Sequence, residues 1–135
     1  MTMLYETLTT INPASITGLA FVSVYVDDFK QSADFYLNVL ELEKQYDMGD
    51  ESCFFSIGKD LGLYLEGGHR IRQTDPLTSR ATFTLTVPSA TALFTKLVAA
   101  DIDIIDERPR KVGENKYWFQ FFDPAGNIIE AFGEI

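Results

Sequence analysis

The chain has 135 residues, 46% hydrophobic and 23% charged, a length and composition that suit one globular domain. Twenty acidic residues against eleven basic ones give a formal charge of −9, which repels phosphate backbones and disfavours nucleic acid as a partner. Cys53 is the only cysteine, so neither an internal disulfide nor a thiolate zinc cluster can form.

Residues 1–17 read as an appended arm, with scattered apolar positions and then Asn12-Pro13. They lack the basic region and apolar core of a signal peptide, and no stretch reaches the ~20 apolar residues that span a bilayer. A cytoplasmic location with no membrane partner is the expectation. A β-branched and aromatic run over 19–26 predicts a strand, with Phe21, Ser23 and Tyr25 on one face and Val22, Val24 and Val26 on the other. Asp28, with Gln31 three residues on, predicts a capped helix carrying Phe29, Ala33, Tyr36, Leu37 and Leu40 as its apolar stripe. Three short strands follow near 43–48, 53–57 and 61–66, and Gly67-Gly68 closes the half.

After a polar connection over 69–79 the order repeats. Residues 82–87 alternate threonine with Phe83, Leu85 and Val87, and Ser89 caps a second helix. Strands are predicted near 102–106, 116–122 and 128–132, with Asp123-Pro124-Ala125-Gly126-Asn127 as a tight turn. The chain thus divides into a βαβββ module over 18–68 and a second over 80–135, within one domain spanning 18–135. The fold class is α+β: a duplicated βαβββ module forming a cup-shaped mixed sheet, with the helices on its outer face.

The segment 21–42, from Phe21-Val-Ser-Val-Tyr-Val-Asp-Asp to Glu41-Leu42, resembles the opening of the vicinal oxygen chelate superfamily. Asp123-Pro-Ala-Gly-Asn-Ile-Ile-Glu130 resembles that superfamily's other recurrent motif. The group includes glyoxalase I, bleomycin-resistance proteins, fosfomycin-resistance enzymes and extradiol dioxygenases. The resemblance implies a small-molecule site and a homodimer. For the enzymes it also implies a divalent metal held by the first and last strands of each half. Carried over, those four positions are Phe21, Tyr64, Thr82 and Glu130, with Glu66 in reach if the register slips by two. Phenylalanine has no lone pair and a neutral hydroxyl is a poor ligand, so Glu130 alone is a conventional metal donor. No resident cofactor is therefore the leading expectation; zinc, nickel, manganese or iron is the lesser one.

Alternation then lines the cup with Phe21, Ser23, Tyr25, Tyr64, Thr82, Thr84, Thr86, Trp118, Gln120, Phe122, Ile128, Glu130 and Phe132. Mostly apolar walls with sparse polar groups suit a small ligand; the aromatic walls favour a planar one and the acidic body a cationic one. An inward Glu130 needs a partner: a cation, a ligand proton, or a hydrogen-bond donor such as Thr82, Tyr25 or Trp118. His69, alone in a Gly-rich connection, is expected to stand in solvent, and Cys53 to be buried. The leading reading is metal-free binding of a small molecule in the cup. One alternative is a metal-dependent lyase, isomerase or dioxygenase using Glu130 as ligand or base. The other is a non-catalytic interaction module whose cup is filled by its own side chains.

Overall fold

Both helices start where their caps place them. The Asp28 carboxylate accepts the Gln31 N–H at 3.1 Å, and the Ser89 hydroxyl accepts that of Ala92 at 3.0 Å. The computed structural model describes residues 13–14, 19–70 and 81–135, so most of the proposed arm and of the 69–79 connection lies outside the described residues. The first module comprises β1 (Phe21–Tyr25), α1 (Phe29–Asp34), β2 (Glu43–Gly49), β3 (Ser52–Ile57) and β4 (Leu61–Glu66). Its helix runs on through a wider π-type turn over Phe35–Val39, closed by the Leu40 N–H on the Phe35 carbonyl at 3.1 Å. The second module comprises β5 (Ala81–Ser89), α2 (Ala90–Ala99), β6 (Arg110–Gly113), β7 (Lys116–Phe122) and β8 (Ile128–Glu134). No helix among the described residues is long and apolar enough to cross a membrane.

Each module forms a four-stranded mixed sheet, in the orders β1-β4-β3-β2 and β5-β8-β7-β6. In each, the first strand pairs in parallel with the last: Ser23 lies opposite Tyr64, and Thr84 opposite Glu130. The duplication inferred from the sequence is therefore a duplication of pairing.

One expected strand is misplaced. Residues 102–106 make only an isolated bridge, Ile104 to Phe121, and the strand falls instead at Arg110–Gly113. Asp106 is the cause. After Ile105 N–H bonds the Gln120 carbonyl at 2.9 Å, the Asp106 carboxylate takes the Gln120 N–H at 2.8 Å, and the backbone ladder stops.

The helix-side faces of both sheets share one buried cluster. Val24, Phe55, Leu63 and Leu65 come from the first module, and Phe119, Phe121, Ile129 and Ala131 from the second, with Phe35, Tyr36 and Leu97 from the helices. Each such large side chain contributes roughly 1.5–3 kcal/mol on burial. The rings of Phe35 and Phe121 lie 6.5 Å apart, and the Tyr36 hydroxyl donates to Asp123 at 2.9 Å, so the modules meet through their helical faces. Cys53 is fully buried in this cluster, and burial pushes its thiol up to about 11. The concave faces point away from the shared core, and no hydrogen bond joins their side chains to each other among the described residues.

Candidate functional site

On the concave face of the second module, β8 presents Glu130 between two cross-strand neighbours. Thr84 of β5 donates to Oε1 at 2.7 Å, and the Gln120 side-chain amide of β7 donates to Oε2 at 2.9 Å. The expected donors Thr82, Tyr25 and Trp118 do not bond it. Register decides this, because Thr84 and Gln120 are the residues directly opposite Glu130. Thr82 sits in the irregularity between Ala81 and Phe83 and gives its hydroxyl to the Ile128 carbonyl at 2.8 Å. Ile128 itself is 2% exposed, so it floors the start of β8 rather than lining an open wall.

Trp118 and Phe122 occupy β7 on the same side as Gln120 and are half-buried. The Arg110 guanidinium lies over the indole at 5.6 Å, and the Lys116 ammonium over the Phe132 ring at 6.0 Å. Arg110 is anchored by an ion pair at 2.7 Å to Asp106, the carboxylate that also fixes the Gln120 backbone. Asp106, Gln120, Glu130 and Thr84 thus form one polar chain across the sheet. The role of Asp106 in it is invisible without the register.

The concave face of the first module is aromatic. Phe21 and Tyr25 on this face are 46% and 45% exposed. Phe21 stands edge-on to Phe54 (centroids 5.2 Å apart) and to Tyr64 (6.4 Å), and Phe54 also contacts Tyr64 at 5.2 Å. Ser23 lies between Phe21 and Tyr25 on the same exposed face. Tyr64 donates its hydroxyl to Glu66 Oε1, and His69 Nε2 reaches Glu66 Oε2. The Tyr64 bond first, and His69 second, hold the Glu66 carboxyl below the usual carboxylate range, and the same bond raises the Tyr64 phenol. His69 does not stand free in solvent as expected: it is half-buried, and its ring packs edge-on against Tyr25 at 4.8 Å.

The residues present do not fit the divalent metal that the resemblance implies. Phe21 offers no donor atom, and Thr82 is spent on a backbone carbonyl. Both Glu130 oxygens already accept hydrogen bonds, as do both oxygens of Glu66. Among the described residues no three His, Cys, Asp or Glu side chains cluster as a metal site would need.

The chain matches the family model of the Glyoxalase/Bleomycin resistance protein/Dioxygenase superfamily over residues 18–131. It is 24% identical over 117 residues to the metallothiol transferase FosB of Shouchella clausii, covering 86% of this chain and 80% of that one. Among solved structures it is similar to the fosfomycin resistance protein FosX of Listeria monocytogenes. That match has a TM-score of 0.72 at 19% identity, over 90% of this chain and 96% of that one. It is also similar to the lactoylglutathione lyase of Agrobacterium tumefaciens (TM-score 0.66, 20% identity, 90% and 96% covered). The match runs through both modules, from ahead of β1 to Glu130 in β8: this chain belongs to the glyoxalase/bleomycin resistance protein/dioxygenase superfamily.

Proposed function

We propose that the protein binds a small planar or cationic molecule against its concave faces without a resident metal. The observation that carries this reading is the outward aromatic face of Phe21, Tyr25 and Tyr64, set beside the Glu66 carboxylate, whose two oxygens are engaged by Tyr64 and His69. Arg110 and Lys116 already cover Trp118 and Phe132, so the rings open to a cationic ligand are those of the first module. The net charge of −9 draws such a ligand inward. Because the two concave faces point away from the common core, a closed cup requires the first module of one copy to face the second module of another. A homodimer follows from this reading.

A second reading, a metal-dependent enzyme of the superfamily, is favoured by Glu130 at a position where the resemblance implies a ligand, and by the lyase and transferase named among its relatives. One experiment separates the two. Protein purified without chelator or tag is equilibrated with nickel, zinc, manganese and ferrous iron, and then titrated with cationic planar dyes. The expected result is far less than one metal per chain, with dye-dependent thermal stabilisation and a change in Trp118 emission. Near-stoichiometric uptake that disappears in Glu130→Ala would overturn the metal-free reading. Absence of any dye response would remove the binding site proposed for the first module.

A further inference from the structure

His69, the only histidine in the chain, is placed by the backbone rather than left at a loop tip. After Glu66 the chain turns back along the end of β1. Gly67 N–H bonds the Glu51 carbonyl at 2.8 Å, Gly68 N–H that of Asp27 at 3.1 Å, and His69 N–H that of Val26 at 2.9 Å. Both glycines are needed for this path. A Cβ on Gly67 would come within 2.5 Å of the Phe29 Cβ, and Gly68 has φ +78°, in the left-handed region. The turn delivers the imidazole onto the Tyr25 ring with Nε2 at 2.5 Å from Glu66 Oε2, while Tyr64 holds Oε1.

In the neutral imidazole this arrangement selects one tautomer. An ionised Glu66 only accepts, so the hydrogen belongs on Nε2 and the lone pair on Nδ1. Among the described residues Nδ1 has no hydrogen-bond partner. A carboxylate that orients an imidazole and leaves the opposite nitrogen unengaged is the logic of a general-base pair.

We propose that His69 is a catalytic general base on the concave face of the first module, with Glu66 and Tyr64 as its positioning residues. Its substrate is a planar molecule with an acidic C–H or O–H, lodged against Tyr25 and Phe21. The proton passes from substrate to Nδ1 and the electron pair of the broken bond stays on the substrate. Glu66 then faces the imidazolium that results. The step needs neither metal nor redox partner. It rests on the reading that this face holds a small molecule.

The probe is 5-nitrobenzisoxazole, given to the full-length chain. Removal of its C3 proton sends that electron pair into a nitrile as the N–O bond breaks, releasing a coloured 2-cyano-4-nitrophenolate. Saturable release is expected from the wild type. In His69→Ala, kcat should fall roughly 100-fold, within the range of general-base catalysis, and added imidazole should restore part of it. Glu66→Gln should lower kcat about tenfold with KM unchanged, because it loosens the base and not the ring contacts. Wild-type release no faster than with an equal concentration of free imidazole would overturn the proposal, as would an undiminished kcat in His69→Ala. Thermal stabilisation by the probe, which reports binding wherever it occurs, separates the two failures. Binding without turnover removes the base and leaves the binding site; absence of both removes the site as well.

Discussion

Asp123→Ala is expected to destabilise the fold by roughly 3–5 kcal/mol, with a fall in Tm of about 10–20 °C for a domain of this size. The Asp123 carboxylate is 4% exposed and accepts from four donors. Oδ1 takes Ala125 N–H at 3.0 Å and Asn127 N–H at 2.7 Å, and Oδ2 takes the Tyr36 hydroxyl at 2.9 Å and the Asn127 amide at 3.0 Å. Alanine would leave the fully buried Tyr36 hydroxyl and the turn donors without an acceptor, at about 1–3 kcal/mol for each group that water cannot reach. Asn127 also donates to the Tyr25 carbonyl at 3.2 Å, so the loss propagates into β1 of the other module. Tyr36→Phe removes a single donor and should cost about 1 kcal/mol. Urea denaturation of both single variants and of the double variant checks this. A clearly sub-additive double variant is expected, because both changes remove the same bond.

The pH dependence of that junction has a definite sign. Burial raises the Asp123 carboxyl above its ordinary value, and the Asn127 and Tyr36 bonds only partly oppose it. A carboxyl raised in the folded state contributes stability that is full below its unfolded value and is lost as pH rises through the folded one. Glu66 runs the other way. Lowered by Tyr64 and His69, it contributes above its unfolded value and is lost as pH falls through the folded one. The stability of the wild type relative to Asp123→Asn should therefore be greater near pH 4 than at pH 7. The opposite trend would mean that the hydrogen bonds outweigh burial.

The sequence carried the modules, the helix caps and the two-faced strands because each depends on neighbours within a few residues. Val24, Phe119 and Phe121 are buried and Phe21 and Tyr25 are outward, as strict alternation requires. Contacts set by register were not legible. The partners of Glu130 are separated from it by 46 and by 10 residues, and the bulge at Ala81/Phe83 diverts Thr82 from the place that counting assigns it. The misplaced strand near 102–106 has the same origin, since a side chain, Asp106, substitutes for the next backbone acceptor. His69 was hidden by the turn before it. Gly67-Gly68 reads as a break in the chain, whereas its geometry folds the following residue back onto Glu66. The Glu-Gly-Gly-His spacing was the available signal, because a tight turn returns the fourth residue to the first.

Gly133→Ala tests the pairing on which the Glu130 site depends. A Cβ at this position would lie 2.1 Å from the Val87 carbonyl oxygen and 3.0 Å from the Val87 Cγ2. The first of these is backbone, so no rotamer change relieves the clash. β5 and β8 must separate, and they are parallel partners with Val87 opposite Gly133 and Thr84 opposite Glu130. The cost should be about 3 kcal/mol or more, at the upper end of overpacking in a buried position. The chemical consequence exceeds the thermal one. Thr84 reaches Glu130 at 2.7 Å, and a shift of about an ångström breaks that bond and leaves Oε1 unpaired beside Gln120. Gly133→Ala should therefore lose the Trp118 response to planar cations at temperatures where circular dichroism still reports folded protein. Thr84→Val, which removes the same hydrogen bond without moving the strands, should weaken that response with a much smaller fall in Tm. If Gly133→Ala kept both wild-type stability and the full dye response, the close β5–β8 approach would have no part in holding Glu130.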